Sequence, residues 1–280
     1  MTLETVAFEG HDCVLLQGAG SSVVVTTSVG PRVLGLVGDE GNLMAVLPDL
    51  GLDRPDGGRF AFIGGHRLWA APEVPGVTYQ PDDRPCAAVE LDGGARVDAP
   101  TDAAGLAKAI SIGPAADGWT VDHEIRNESD RPVTVAAWAI TQLRPGGTAT
   151  LPLPSRGPGQ QADRALVLWP YTDPTDPRIA VARDAVTVRS EPGGPALKIG
   201  VAPGDGALSY RIDGQLFEKR IDIDPEAAHA DLGAALQVYV CDDFCELETL
   251  GPLRTLEPGE TVTHRERWTL RGVDAGRSHT

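Results

Sequence analysis

No run of apolar residues in the 280-residue chain approaches the roughly 20 needed to cross a bilayer as a helix. Basic charge is also scarce. The 24 Lys and Arg stand against 40 Asp and Glu, and a formal net charge of −16 opposes binding to phosphate backbones or anionic headgroups. Neither nucleic acid nor membrane is an expected partner. Only four cysteines occur, Cys13, Cys86, Cys241 and Cys245, with neither the paired spacing of a zinc site nor the density of a disulfide scaffold, so reduced thiols are expected. Met1 to Gly10 has no basic start and no apolar run before a small-residue cleavage site; no secretory leader is expected, and a cytoplasmic location is. Amphipathic helical periodicity over ten or more residues is missing throughout.

What the chain does have is punctuation and short apolar runs. Its 33 Gly and 23 Pro imply many turns. Runs rich in Val, Ile, Leu and Thr recur between them, among them Ser22–Val29, Arg32–Val37, Ala87–Asp92, Leu106–Ile112, Trp119–Arg126 and Val133–Leu143. Later runs are Ala165–Leu168, Ala185–Arg189, Pro195–Val201, Ala207–Ile212, Gln215–Ile221, Ala235–Cys241 and Val262–Leu270. The pattern predicts an all-β, antiparallel sandwich occupying 1–270 as one domain, with 271–280 as a flexible tail. Asp213-Gly214 between two runs predicts a hairpin turn. Pro145–Pro158 and Trp169–Pro177 read as loops, because proline cannot donate within a central strand.

Chemistry-bearing residues concentrate in a few segments. Gly64-Gly65-His66-Arg67-Leu68-Trp69 runs on through Glu73: glycines permit close backbone approach, Arg67 offers fixed donors, and Trp69 a face for a sugar ring. The alternative is a surface turn with Trp69 in the core and Arg67 paired to Glu73. If Phe244–Leu253 is a strand, Glu246 and Glu248 share a face, the arrangement of an acid–base pair or of a solvated edge. The loop Trp169–Arg178 presents Tyr171, Asp176 and Arg178, as the rim of a site or as a proline-stiffened connection with an Asp176–Arg178 pair. Lys219 shares a strand face with Phe217 and Ile221 and needs a partner, either water or a carboxylate such as Glu246. His123 alternates with apolar residues, which suits a core histidine as well as a catalytic one. No two histidines stand at ligand spacing on one element, so neither metal nor cofactor is expected.

Taken together, Gly64–Glu73, Trp169–Arg178, Lys198-Ile199-Gly200 and Glu246–Leu253 resemble a bacterial family of the galactose-mutarotase-like (aldose 1-epimerase-like) superfamily, over most of residues 20–270. The resemblance implies a β-super-sandwich with a concave, sugar-binding cleft, and Glu/His acid–base catalysis without a cofactor. The epimerase base lies in a Leu-Glu-Thr-Gln strand; Leu247-Glu248-Thr249-Leu250 is similar and nominates Glu248. The histidine-bearing strand of those enzymes corresponds to Ala136–Leu143, which contains Trp138 but no His, leaving His66 or His123 as the acid. The resemblance covers non-catalytic carbohydrate-binding modules too, and a secondary-metabolism enzyme reusing the cleft on a non-sugar is a third reading. One cleft is expected to unite His66, Arg67, Trp69, Glu73, His123, Arg178, Lys198, Lys219, Glu246 and Glu248 around a sugar or polyol. The cations among them favour an anionic ligand unless each is paired with a carboxylate.

Overall fold

Strand-length apolar runs separated by turn residues can bury themselves only by pairing edge to edge and stacking face to face. The computed structural model, which describes residues 3–18, 20–54, 57–153, 162–224 and 226–273, does this with two large antiparallel sheets. The first runs in space from Glu4–Phe8 through His11–Gly18, Ser21–Thr26 and Arg32–Gly38 to five central strands: β1 (His66–Ala71), β2 (Val133–Leu143), β3 (Leu197–Val201), β4 (Leu236–Val240) and β5 (Cys245–Leu250). Their spatial order is β1-β2-β5-β4-β3, with Leu166–Leu168 at the far edge. The second sheet has Gly118–Asn127, Thr261–Gly272 and Gln215–Ile221 side by side near its middle. One continuous apolar core, including Val33, Leu68, Ile110, Val121, Leu247 and Trp268, fills the space between the sheets.

Asp213 (φ 48°) and Gly214 (φ 72°) make the expected two-residue hairpin turn. Two expectations need correction. Thr148–Pro152, read as part of a proline-rich loop, is a strand hydrogen-bonded on both sides, to Ala185–Arg189 and Ala207–Ile212. Its proline stands last in the strand, where the missing donor breaks little of the ladder, and Ala149 and Leu151 alternate into the core. The tail was expected from residue 271, yet the last strand continues to Gly272; 274–280 lie outside the described residues.

Val46–Asp53 and Arg59–Gly64 form a separate two-stranded flap that carries Phe60 and Phe62 across the outer face of the first sheet. The chain leaves this flap for β1 through Gly64 (φ 98°) and Gly65 (φ 72°). A Cβ on Gly64 would stand 2.1 Å from the Ala45 carbonyl oxygen, and one on Gly65 2.2 Å from that of Val33. The glycine pair therefore serves close approach between protein strands rather than between backbone and ligand. Arg32, fully buried, locks the corner by donating to the Gly64 carbonyl at 2.5 Å and pairing with Asp82.

Candidate functional site

Successive side chains on a strand point to opposite faces, and the five central strands are buried on both. On β5, Cys245 and Leu247 enter the core while Glu246, Glu248 and Leu250 take the outer face. Register sets their neighbours. Gln142 of β2 and Tyr239 of β4 flank Glu246, and Lys198 of β3 lies across from Tyr239. On the other side Trp138 of β2 faces Trp69 of β1, two positions beyond Arg67. Residues drawn from all five strands thus meet on one surface.

Over that surface opens a cleft of about 410 Å³, roofed by the flap and by the 169–171 segment. Its walls are aromatic. Trp138 packs on Trp69 (5.5 Å between ring centres), and Trp69 on Tyr79 (4.9 Å) and on Phe60 (5.3 Å). Phe60 leads to Phe62, Phe62 to Phe244 (6.0 Å), Phe244 to Tyr239 (5.8 Å) and Tyr239 to Tyr171 (6.4 Å).

Inside this belt the charges are matched. Arg67 places its guanidinium 4.1 Å from the centre of Trp69 and donates to Glu246 Oε1 at 3.2 Å and to Gln142 Oε1 at 3.1 Å. Gln142 Nε2 donates to the same Glu246 oxygen at 3.0 Å, and no described residue hydrogen-bonds Oε2. Lys198 lies 4.6 Å from the centre of Trp138 and 4.7 Å from that of Trp169, and its ammonium donates to Glu248 Oε2 at 2.7 Å. The Trp138 indole N–H donates to that oxygen at 2.7 Å, while Glu248 Oε1 is buried without a partner among the described residues. Burial, then the charge of Glu248, pushes the Glu246 carboxyl up to about 7 against the pull of Arg67 and Lys198. Burial lowers Arg67 to about 10, leaving it charged at neutral pH. At the rim, Tyr79 donates to Glu73.

Of the residues singled out in the sequence, Arg67, Trp69, Glu73, Trp138, Tyr171, Lys198 and Glu246 line the cleft. Glu248, nominated as base, is fully buried behind Lys198 and Trp138. His66, His123 and Lys219 do not converge with them. They point the opposite way, into the core, because His66 has the strand parity of Leu68 rather than of Arg67, and the other two lie on the second sheet. Asp176 and Arg178 pair with each other at 2.7 Å and stand outside the cleft, as in the stiffened-loop alternative. An anionic ligand accordingly finds no unmatched cation among these residues: Arg67 and Lys198 face carboxylates, Arg178 has Asp176, and Lys219 has Glu266. Tyr79 and Tyr239 were not singled out in the sequence, and Phe62, Phe244 and Gln142 were given no role there, since single aromatics or amides in strands and turns look like ordinary core or surface positions.

The core-facing polar groups form their own network beneath the cleft. His66 Nε2 meets His123 Nε2 at 2.7 Å, His123 Nδ1 donates to the His264 carbonyl at 2.9 Å, and Thr141 meets His66 Nδ1 at 2.9 Å. Lys219 pairs with Glu266 at 2.7 Å and donates to the Leu247 carbonyl at 3.2 Å. Burial lowers all three imidazoles, His264 to about 3. Burial would raise Glu266, but the Lys219 ammonium holds it well below the usual carboxylate range. His66, His123 and Glu266 also offer metal-ligand atoms within 4.8 Å of one another. Those atoms already have partners, however, and Trp268 and Thr249 complete the Glu266 carboxylate; the arrangement is a satisfied hydrogen-bond cluster.

No family model and no curated protein matches the chain. Solved structures do. A protein of Escherichia coli K12, provisionally named an aldose 1-epimerase, superposes with a TM-score of 0.56 over 93% of this chain and 99% of its own, at 12% identity. This is the galactose-mutarotase-like fold. Galactose mutarotase-like proteins of Lactobacillus casei (TM-score 0.54, 9% identity, 92% of this chain and 100% of that one) and Clostridium acetobutylicum (0.51, 8%, 98% and 99%) share it. At such identities the likeness is one of architecture. Within the described residues no helix is long and apolar enough to cross a membrane, and all four cysteines are unpaired.

Proposed function

We propose that the cleft binds an uncharged reducing sugar and moves protons at its anomeric centre, a mutarotase- or epimerase-like isomerisation. The observation that carries this reading is Glu246: a carboxyl lining an aromatic cleft, with one oxygen clamped by Arg67 and Gln142 and the other unbonded, and poised near pH 7. A base is most effective when its pKa lies close to the working pH. As the carboxylate, Glu246 takes the anomeric hydroxyl proton while the bond from C1 to the ring oxygen breaks, and the ring oxygen takes a proton from the Lys198 ammonium. The open-chain aldehyde turns about its C1–C2 bond and recloses by the reverse transfers, returning both protons. Oxidation state does not change, so the chemistry calls for no redox cofactor. Lys198 takes the place of the epimerase histidine because, of the two cations lining the cleft, Arg67 is committed to Glu246 and Gln142, while Glu248 behind Lys198 balances its charge. The unpaired thiols fit a reducing, cytoplasmic setting.

Polarimetry of freshly dissolved α-D-glucose and α-D-galactose tests the proposal. Wild-type protein should speed equilibration beyond the buffer rate, and Glu246→Gln should reduce that by at least a hundredfold with the fold intact. Sugar binding without acceleration would reassign the cleft to a binding module. Neither binding nor acceleration, across neutral sugars, would sink the sugar reading and favour a non-sugar substrate.

A further inference from the structure

The chain has 5 Trp, 4 Tyr and 5 Phe, and eight of these fourteen rings line the one cleft. They divide into two groups. Around Arg67 and Lys198 the ring faces are already occupied: the guanidinium covers Trp69 and Phe62, and the ammonium sits against Trp138 and Trp169. Tyr171, by contrast, packs on Tyr239 and Tyr239 on Phe244, with no cation of a described residue over these rings, and Tyr171 is 49% exposed. Tyr239 is the direct cross-strand neighbour of Glu246, so this uncommitted aromatic wall begins beside the proton-transfer group and runs outward to the rim. A cleft of this volume suits a ligand of drug-like rather than single-ring size.

Resting on the sugar reading above, we infer that the preferred ligand is a reducing sugar carrying an apolar or aromatic substituent away from its anomeric carbon, with that substituent held by Tyr171, Tyr239 and Phe244. The anomeric hydroxyl must stay free for Glu246, which excludes simple glycosides as substrates. Negative charge at the substituent is disfavoured by the absence of any unmatched cation on this wall among the described residues. Burying a phenyl-sized group between rings favours binding through both apolar area and ring packing.

The test compares D-glucose and D-galactose with their 4,6-O-benzylidene acetals and with the 6-phosphates, by calorimetric titration of the full-length protein. The acetals should bind at least tenfold more tightly than the parent sugars. Tyr171→Ala and Tyr239→Ala should each weaken the acetals by a larger factor than the parent sugars and so remove most of that advantage; Tyr171 lies at the surface, so its variant is expected to fold. Acetals that bind no better than the parent sugars, or phosphates that bind best, would overturn the inference. If the parent sugars are bound and equilibrated but the acetals are rejected, this inference alone falls. If benzyl alcohol binds as well as the acetals and no parent sugar binds, the sugar reading falls with it.

Discussion

Glu246 and Glu248 stand two positions apart on one strand face, yet their surroundings assign them different duties. Glu248 has a cation and an indole N–H on one oxygen and does not line the cleft, whereas Glu246 lines it and keeps one oxygen that no described residue bonds. Catalysis that needs ionised Glu246 should rise as pH increases through about 7 and level off above it. Removing the Glu248 charge takes away the second cause of that elevated value. In Glu248→Gln the midpoint should therefore move to lower pH, as read from the pH profile of anomer equilibration; an unmoved midpoint would show that the two carboxyls do not interact. The same substitution leaves the buried Lys198 ammonium without its counter-charge, so denaturant titration should show a loss of about 3 kcal/mol. From the sequence, the shared face of this pair was readable by alternation alone. Which carboxyl meets the ligand was not, because it depends on side chains of three other strands.

The central strands work as two-sided elements. Arg67, Gln142, Glu246 and Glu248 occupy the cleft face, and their chain neighbours His66, Thr141, Leu247 and Thr249 hold the core network through side chain or carbonyl. The network ties β1, β2 and β5 to the second sheet at the positions that carry the site. Lys219→Met should cost about 3–5 kcal/mol by leaving Glu266 buried and uncompensated, and Lys219→Met combined with Glu266→Gln should recover much of it, measured by chemical denaturation. A double variant no more stable than the single would remove the ion pair from this account. The strand that sequence reasoning resolved least was β1. All six of its residues are buried, so the in-out alternation that marks a half-solvated strand is lost, and His66 and Arg67 side by side look like a ligand-facing loop. Thr148–Pro152 was hidden for the opposite reason, its proline outweighing a short alternating run. Strands with one wet face, such as Gln215–Ile221 and Ala185–Arg189, were legible to the residue.

For the molecule as a whole, the buried imidazoles govern acid stability. Each is held neutral when folded, with His264 near 3, but takes up a proton around 6.5 when unfolded. The unfolded chain thus binds more protons between about pH 3 and 6.5, and stability falls as pH drops through that window. Glu266, depressed in the fold, adds to the loss below the ordinary carboxylate value. Glu246 acts in reverse: its raised value makes ionisation costly to the fold as pH climbs from about 4.5 to 7. Melting temperature should accordingly decline steadily below pH 6, and His264→Gln should flatten that decline. An unchanged acid slope in the variant would place the acid sensitivity elsewhere.

The distribution of indoles also gives the protein two separate optical reporters. Trp119 and Trp268 are sealed between the sheets, whereas Trp69, Trp138 and Trp169 line the cleft, with Trp169 half-buried and against the Lys198 charge. Emission from an indole shifts with the water and charge around it, so a seated ligand should move the long-wavelength edge of the spectrum and leave the short-wavelength component in place. Unfolding should move both. Trp169→Phe should remove most of the ligand-induced change while preserving the unfolding signal, so that occupancy and integrity of one molecule can be followed in one cuvette.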